Sequence, residues 1–424
     1  MTIYQKSDII TLFKESVMKP NNKKKNKKWL KFRHKVVHLI LRLPIGLLCK
    51  IKYGIRIEKY REGIKRPHLI LYNHQTAFDQ FFVGLAFNKP IYYLATEDIF
   101  SNGWISTLIK YLVEPIPIKK QTTDIKAILN CIRVAKEGGS IAIAPEGNRT
   151  YSGETVYMSS TIAPLARKLG MPILLFKIEG GYGIQPRWSD GTRHGRMRGY
   201  VSRVIEPEEY ADMTDEQLFE VIKNELYVNE AKADAEFKSK HLAEYLERAI
   251  YTCPDCGLTV LESLGDVIEC KKCRKRVRYM PNKELRGINC DFPHRFVLDW
   301  YNAQSDYVNS LDLSEYTDES MYQDCAKIKE VIAGKKKIPL CPQAEIFLFG
   351  NRIEIEINEA TKSFAFDECS AITVLGRNKL NIYHGGRIYQ LKGNKRFCAL
   401  KYVHIYNRYK NIKKGDENVK FLGL

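Results

Sequence analysis

No stretch of the sequence reaches about 18 uninterrupted apolar residues, the length a helix needs to cross a bilayer, so an ordinary transmembrane helix is not expected. Acidic residues are scarce beside basic ones, 49 against 68, and the formal charge of +19 points to a polyanionic partner, either nucleic acid or an anionic membrane leaflet. No internal repeat is present and no long segment lacks apolar residues, which sets aside repeat arrays and a mainly disordered chain. No small-residue cleavage site accompanies the first apolar run, so a signal peptide is not expected either. What is present is enough chain, 424 residues, for two or three folded units.

The first apolar run, VVHLILRLPIGLLC at 36–49, is interrupted by Arg42 and Pro44 and follows a segment, 19–35, with nine Lys or Arg. Lysines against anionic headgroups and an apolar run at the acyl boundary make an in-plane interfacial anchor; a basic tail leading into a core helix is the alternative. Beyond it, short β-rich runs alternate with helical ones, the pattern of an α/β layered sheet with helices. Strands are expected at 68–73, 90–95, 140–147 and 171–180, and helices at 79–87, 103–113, 123–137 and 214–248. The units expected are a basic arm and anchor at 1–52, a catalytic domain at 53–250, a Cys-bearing module at 251–282, a helical connector at 283–340, and a small antiparallel β domain at 341–424. A last helix from Arg396 to about Lys410 should pack Phe397, Leu400 and Val403 against that β domain.

The densest chemical signal is NHQTAFD, in which His74 and Asp79 follow a strand directly. A continuous helix would set these side chains about 140° apart, so they meet only if the chain turns between strand and helix. Asp79 would then accept the Nδ1 proton of His74 and leave Nε2 free to take a proton from an alcohol. Such a pair has no nucleophile of its own and suits transfer onto a substrate hydroxyl. A polar turn with Asp79 as a helix cap is the bland reading. APEGNRT at 144–150 also follows an apolar strand and offers Glu146, Gly147 and Arg149; glycine admits close approach and arginine grips phosphate with paired donors. Lys119 and Lys120 end a third short strand, EPIPIKK. Parallel sheets bind ligands at the carboxyl ends of their strands, where these segments sit. His68, His241 and His294 read as structural, and His194, in a basic loop, as either a headgroup contact or a solvated residue.

Eleven cysteines, an odd count, include two CxxC pairs, Cys253 with Cys256 and Cys270 with Cys273, separated by 13 residues. This is the spacing of a four-thiolate zinc ribbon in a reducing compartment, and four protein ligands make the zinc structural. A redox site needs only one such pair. KKCRKRVRY at 271–279 is basic, yet no recognition helix or aromatic platform accompanies it, so nucleic acid is not the expected partner.

NHQTAFD and PEGNRT resemble the first and third motifs of the bacterial 1-acyl-sn-glycerol-3-phosphate acyltransferase family, over roughly residues 50–240. The resemblance implies a base role for His74, an orienting role for Asp79, and acceptor binding by Glu146, Gly147 and Arg149. The strand to Lys120 resembles the second motif, with lysine where that family has a phosphate-binding arginine, and Pro172 resembles the proline of the fourth. It further implies a lysophospholipid acceptor, an acyl carrier protein or coenzyme A thioester as donor, no catalytic cofactor, and residence at the cytoplasmic face of the cell membrane as a peripheral or monotopic protein. Another lysolipid or glycolipid acceptor, or a membrane-bound adaptor without catalysis, are the alternatives. The terminal β domain with its helix resembles a pleckstrin-homology or GRAM-like unit in element order.

Overall fold

The computed structural model of the chain describes residues 28–61, 66–96, 99–100, 103–118, 124–232, 235–332, 336–357, 359–416, 419 and 422–423. Most of the expected basic arm, and Lys119 and Lys120, lie outside the described residues.

The first apolar run is one unbroken helix, α1 (Phe32–Tyr53), which passes through both Arg42 and Pro44. Arg42 pins its inner face, donating to Asn88 Oδ1 at 2.6 Å and to the Leu85 carbonyl at 3.2 Å. Tyr53 anchors its end among Phe78 and Phe82, with ring centroids 5.2 and 5.3 Å away. Its other face is bare: Leu39, Leu43, Leu47 and Ile51, spaced at one helical turn, are 72%, 83%, 61% and 72% exposed. No described helix is long and apolar enough to cross a membrane.

A seven-stranded mixed sheet follows, made of β1 (Ile55–Ile57), β2 (Leu69–Tyr72), β3 (Ile91–Thr96), β4 (Ile116–Ile118), β5 (Ser140–Ile143), β6 (Ile173–Glu179) and β7 (Met197–Ile205), in the order β1-β7-β6-β2-β5-β3-β4. β2 lies at its centre, parallel to both β5 and β6. Helices α2 (Asp79–Ala86), α3 (Trp104–Leu112), α4 (Ile125–Lys136), α5 (Ile162–Leu169), α6 (Gly181–Ile184), α7 (Pro207–Tyr210) and α8 (Asp215–Leu226) connect and cover it. Successive strand residues point to opposite faces. Leu69 and Leu71 accordingly join Cys131, Ala163, Ala166 and Ile222 in one core, while Ile70 and Tyr72 join Phe82, Val83 and Tyr53 in the other.

The helix expected over 214–248 stops at Leu226. The remainder is an irregular strap whose backbone groups are taken by other segments: Glu230 N donates to the Gly153 carbonyl and Phe237 N to the Pro281 carbonyl, both at 2.9 Å. Next come short strands β8 (Thr252–Cys253), β9 (Gly257–Leu258), β10 (Leu261–Leu264), β11 (Val267–Cys270), β12 (Arg276–Tyr279) and β13 (Leu285–Gly287). β10 and β11 form a hairpin between the two cysteine pairs, turning at Gly265 with φ +63°.

Among the described residues, the stretch expected as a helical connector, 283–340, contains one α-helix, α9 (Val297–Ser310), and then the long strand β14 (Tyr322–Ile332). The C-terminal sheet therefore begins well before residue 341. β14 alternates Ala326 and Ile328 inward with Lys327 and Lys329 outward, a period-two pattern that its lysines disguise as a polar run. With β15 (Lys336–Leu348), β16 (Arg352–Ile357), β17 (Ala360–Ala365), β18 (Cys369–Leu375), β19 (Lys379–His384) and β20 (Arg387–Gly393) it makes an antiparallel sheet ordered β17-β16-β15-β14-β20-β19-β18. The closing helix α10 (Leu400–Lys414) buries Leu400 and Val403, and Phe397 is buried just before it. One hydrophobic cluster joins Tyr151 and Trp188 to the Cys-bearing module and to this β unit.

Candidate active site

Because β2 and β5 are adjacent and parallel, the chain segments leaving them emerge side by side. Asn73 fixes the first, donating to the Ile178 carbonyl at 2.8 Å and accepting from Ile178 N at 2.7 Å. The chain then turns tightly into α2, and His74 Nδ1 meets Asp79 Oδ2 at 2.7 Å. Asp79 is fully buried and also accepts from Gln75 N at 2.7 Å, Thr76 N at 2.9 Å and Thr76 Oγ1 at 2.6 Å. A carboxylate ringed by donors acts as acceptor, so the His74 proton sits on Nδ1 and Nε2 keeps its lone pair. The His74 side chain is 25% exposed, open enough for a substrate to reach Nε2.

The segment after β5 closes on the same turn. Glu146 Oε1 accepts the backbone N–H of His74 at 2.9 Å. Burial raises the Glu146 carboxyl to about 8, against the pull of that N–H, and the nearby charge of Asp79 raises it further. Gly147 turns the chain at φ +68°, the left-handed region glycine enters without strain. Arg149 lies buried beyond it, with one terminal amino group lacking a partner among the described residues. Burial lowers the Arg149 guanidinium to about 10; Arg187 adds to the lowering, and the Asp79 carboxylate opposes it.

A third wall went unread in the sequence. The loop after β6 presses Gly181 against the His74 turn so closely that a Cβ there would sit 2.5 Å from that of Gln75. Gln185 Oε1 accepts from Ala77 N at 3.1 Å, and its amide donates to the Tyr53 hydroxyl at 3.4 Å. Glu230, on the strap, accepts from Gly180 N at 2.5 Å and Tyr182 N at 2.9 Å, holding the loop in place. The signal was available, since GGYGIQPR also leaves the carboxyl end of a strand parallel to β2.

The other histidines named in the sequence lie apart from this turn. Burial drives His68 down to about 4, His241 pairs with Glu244 at 2.9 Å, and His294 stacks on Trp300. The backbone of His194 bridges to that of Lys238.

Cys253, Cys256, Cys270 and Cys273 gather with all four sulfurs within 4.8 Å of one another. Cys253 and Cys273 Sγ are 3.6 Å apart, and Cys256 and Cys270 Sγ 4.0 Å. A tetrahedral zinc with bonds of about 2.3 Å needs sulfurs about 3.8 Å apart, so this set can hold one metal ion. The basic run beside it is largely neutralised: Arg274 pairs with Glu269 at 2.9 Å, Lys271 with Glu262 at 3.0 Å, Lys275 with Asp255 at 2.6 Å and Arg278 with Asp266 at 3.1 Å.

The chloroplastic 1-acyl-sn-glycerol-3-phosphate acyltransferase of Arabidopsis thaliana is 24% identical over 180 residues, 41% of this chain and 50% of that protein. A chloroplastic 1-acyl-sn-glycerol-3-phosphate acyltransferase of Brassica napus is 23% identical over 181 residues, 41% of this chain and 52% of that protein. The chain thus spans about half the length of the curated relatives it matches. The crystal structure of the 1-acyl-sn-glycerophosphate acyltransferase of Thermotoga maritima aligns at 19% identity and a TM-score of 0.38, covering 51% of this chain and 84% of that one. The acyltransferase family model matches residues 54–178. The matched residues carry the His74 turn, Glu146 and Arg149.

Proposed function

We propose that the protein is an O-acyltransferase that moves a fatty acyl group from a thioester of coenzyme A or acyl carrier protein onto the hydroxyl of a phosphate-bearing lysolipid, 1-acyl-glycerol-3-phosphate first among them. The observation that carries this reading is the 2.7 Å bond between a buried, four-fold hydrogen-bonded Asp79 and a partly exposed His74. His74 Nε2 removes the acceptor's hydroxyl proton, the oxygen attacks the thioester carbonyl, and the tetrahedral intermediate expels the thiolate, which takes up the proton. Arg149 holds the acceptor phosphate, and Glu146 braces the His74 backbone. The two plant relatives support this acceptor through the activity in their names.

The acceptor is a lipid, and the surface provides for one. Arg33 joins α1 to α3 through the Tyr111 carbonyl at 2.8 Å, and α3 exposes Trp104 (74%) and Tyr111 (58%) beside the bare stripe of α1. Two adjoining apolar faces of this kind suit shallow insertion into the cytoplasmic leaflet, peripheral or monotopic. The four cysteines bind a structural zinc. The test is an assay of the purified protein with a panel of lysolipids and glycolipid acceptors and both thioester donors. Ester formation on 1-acyl-glycerol-3-phosphate is expected, and absence of ester product with every acceptor and donor would end the proposal.

A further inference from the structure

Arg149 does not stand alone. Arg187, on the loop after α6, is 3% exposed; one terminal amino group donates to the Arg149 carbonyl at 2.8 Å and its Nε to the Gly376 carbonyl at 3.5 Å. The guanidinium lies over the Tyr151 ring, 4.2 Å from its centroid. Gly376 turns β18 into β19, so Arg187 links the segment after β5 to the C-terminal β unit. Arg377, next in that turn, shares Asp190 with Arg248, at 3.2 Å against 2.7 Å for Arg248.

The neighbouring buried Arg248 has a carboxylate, Asp190, besides the Trp188 and Lys395 carbonyls. Among the described residues, no carboxylate forms an ion pair with Arg149 or Arg187. Buried arginines are ordinarily matched, because a low-dielectric surrounding penalises an uncompensated charge and strengthens repulsion between like charges. Of the charges that act on Arg149 after burial itself, Arg187 and Arg377 weaken its hold on its proton, and the Asp79 carboxylate, not paired with it, strengthens that hold. An anion with about two charges is the species that relieves such a cluster, and planar guanidinium forks match phosphate oxygens.

We propose that Arg187 and Arg377 extend the Arg149 subsite into a three-guanidinium cradle for a phosphomonoester, so that the C-terminal β unit supplies one wall of the acceptor site. This rests on the reading of Arg149 as the acceptor's phosphate ligand. A monoester near neutrality carries between one and a half and two charges, roughly, and a diester one, so the cradle selects phosphomonoester acceptors over lysolipids with diester headgroups.

The test uses the full-length protein with Arg377→Ala, on a partly exposed turn, and Arg187→Lys, which keeps the charge but loses the fork. Initial rates with 1-acyl-glycerol-3-phosphate should show an acceptor KM raised about 10-fold in each variant, the loss of one charged hydrogen bond, while the thioester KM stays within about twofold. Calorimetric titration with glycerol 3-phosphate should show the same weakening in the absence of turnover. Unchanged glycerol 3-phosphate affinity and unchanged acceptor KM in both folded variants would overturn the cradle. If Arg149→Ala alone weakens the acceptor, the cradle fails and the acyltransferase reading survives. If glycerol 3-phosphate binding depends on Arg187 and Arg377 but no acceptor is acylated, the cradle survives and the acyltransferase reading fails.

Discussion

His74 and Asp79 touch, yet removing them should have very different consequences. Asp79 is the hub of its turn: without its carboxylate, Gln75 N, Thr76 N and Thr76 Oγ1 lose their acceptor in a buried place. A hydrogen bond to a charged group contributes about 1.5–3 kcal/mol, so three of them set a ceiling of about 4.5–9 kcal/mol for Asp79→Ala. Water entering beside the partly exposed imidazole and relaxation of the turn reduce this to about 3–5 kcal/mol, since neighbouring losses do not add in full. For a cooperative unit of about 350 residues that is a fall in Tm of about 4–7 °C. His74→Ala leaves those three donors satisfied and removes a partly exposed ring, so its Tm should stay within about 2 °C of wild type. His74→Ala loses the base and Asp79→Ala the carboxylate that orients it, and turnover should fall in each by between about 100-fold and 10,000-fold. Calorimetry alongside thiol release from the acyl thioester separates the two effects. Equal melting temperatures for the two variants would refute the account of Asp79 as the staple of the turn, and near-normal turnover by folded His74→Ala would refute the mechanism.

The Glu146 carboxyl, raised to about 8, binds a proton in the folded chain over a range where the unfolded chain has released it. Stability from this group is therefore full below about pH 4.5 and is lost as the pH rises to about 8. Glu146→Gln should flatten the stability difference across that window, and parallel pH profiles for the two proteins would contradict the burial argument. Purified protein should contain one zinc per chain, lost in Cys253→Ser together with a drop in Tm; a metal-free, equally stable wild type would remove the zinc reading. Leu43→Asp and Trp104→Asp should each cut binding to anionic vesicles by roughly 30-fold or more, the worth of one buried apolar side chain, and unaltered co-sedimentation would mean that this face does not insert.

What could be read from the chain was what depends on near neighbours. The His74 turn and the paired cysteine knuckles are each defined within a few residues, and the parallel-strand rule puts NHQTAFD and PEGNRT at one end of the sheet, where Glu146 meets the His74 backbone. Arg187 and Gln185 escaped because their roles arise from a tight loop and from a turn almost 190 residues further along, between β18 and β19. The strap after Leu226 was misjudged because its polar, helix-favouring composition outweighed contacts with Gly153 and Pro281 that only the tertiary structure supplies. β14 was missed because lysine stems can lie along a sheet face while their charges stay in water.

The shared cluster around Trp188 bears on how the molecule comes apart. Arg248, almost fully enclosed, grips Trp188 and Asp190 on one side and the Lys395 carbonyl on the other. Cutting the gene near residue 250 would strip these groups of their covering and leave a sticky, cation-bearing scar on the severed half. Heating or denaturant should accordingly melt the region from the sheet centre to the last helix in a single transition, and protease should find its first foothold elsewhere.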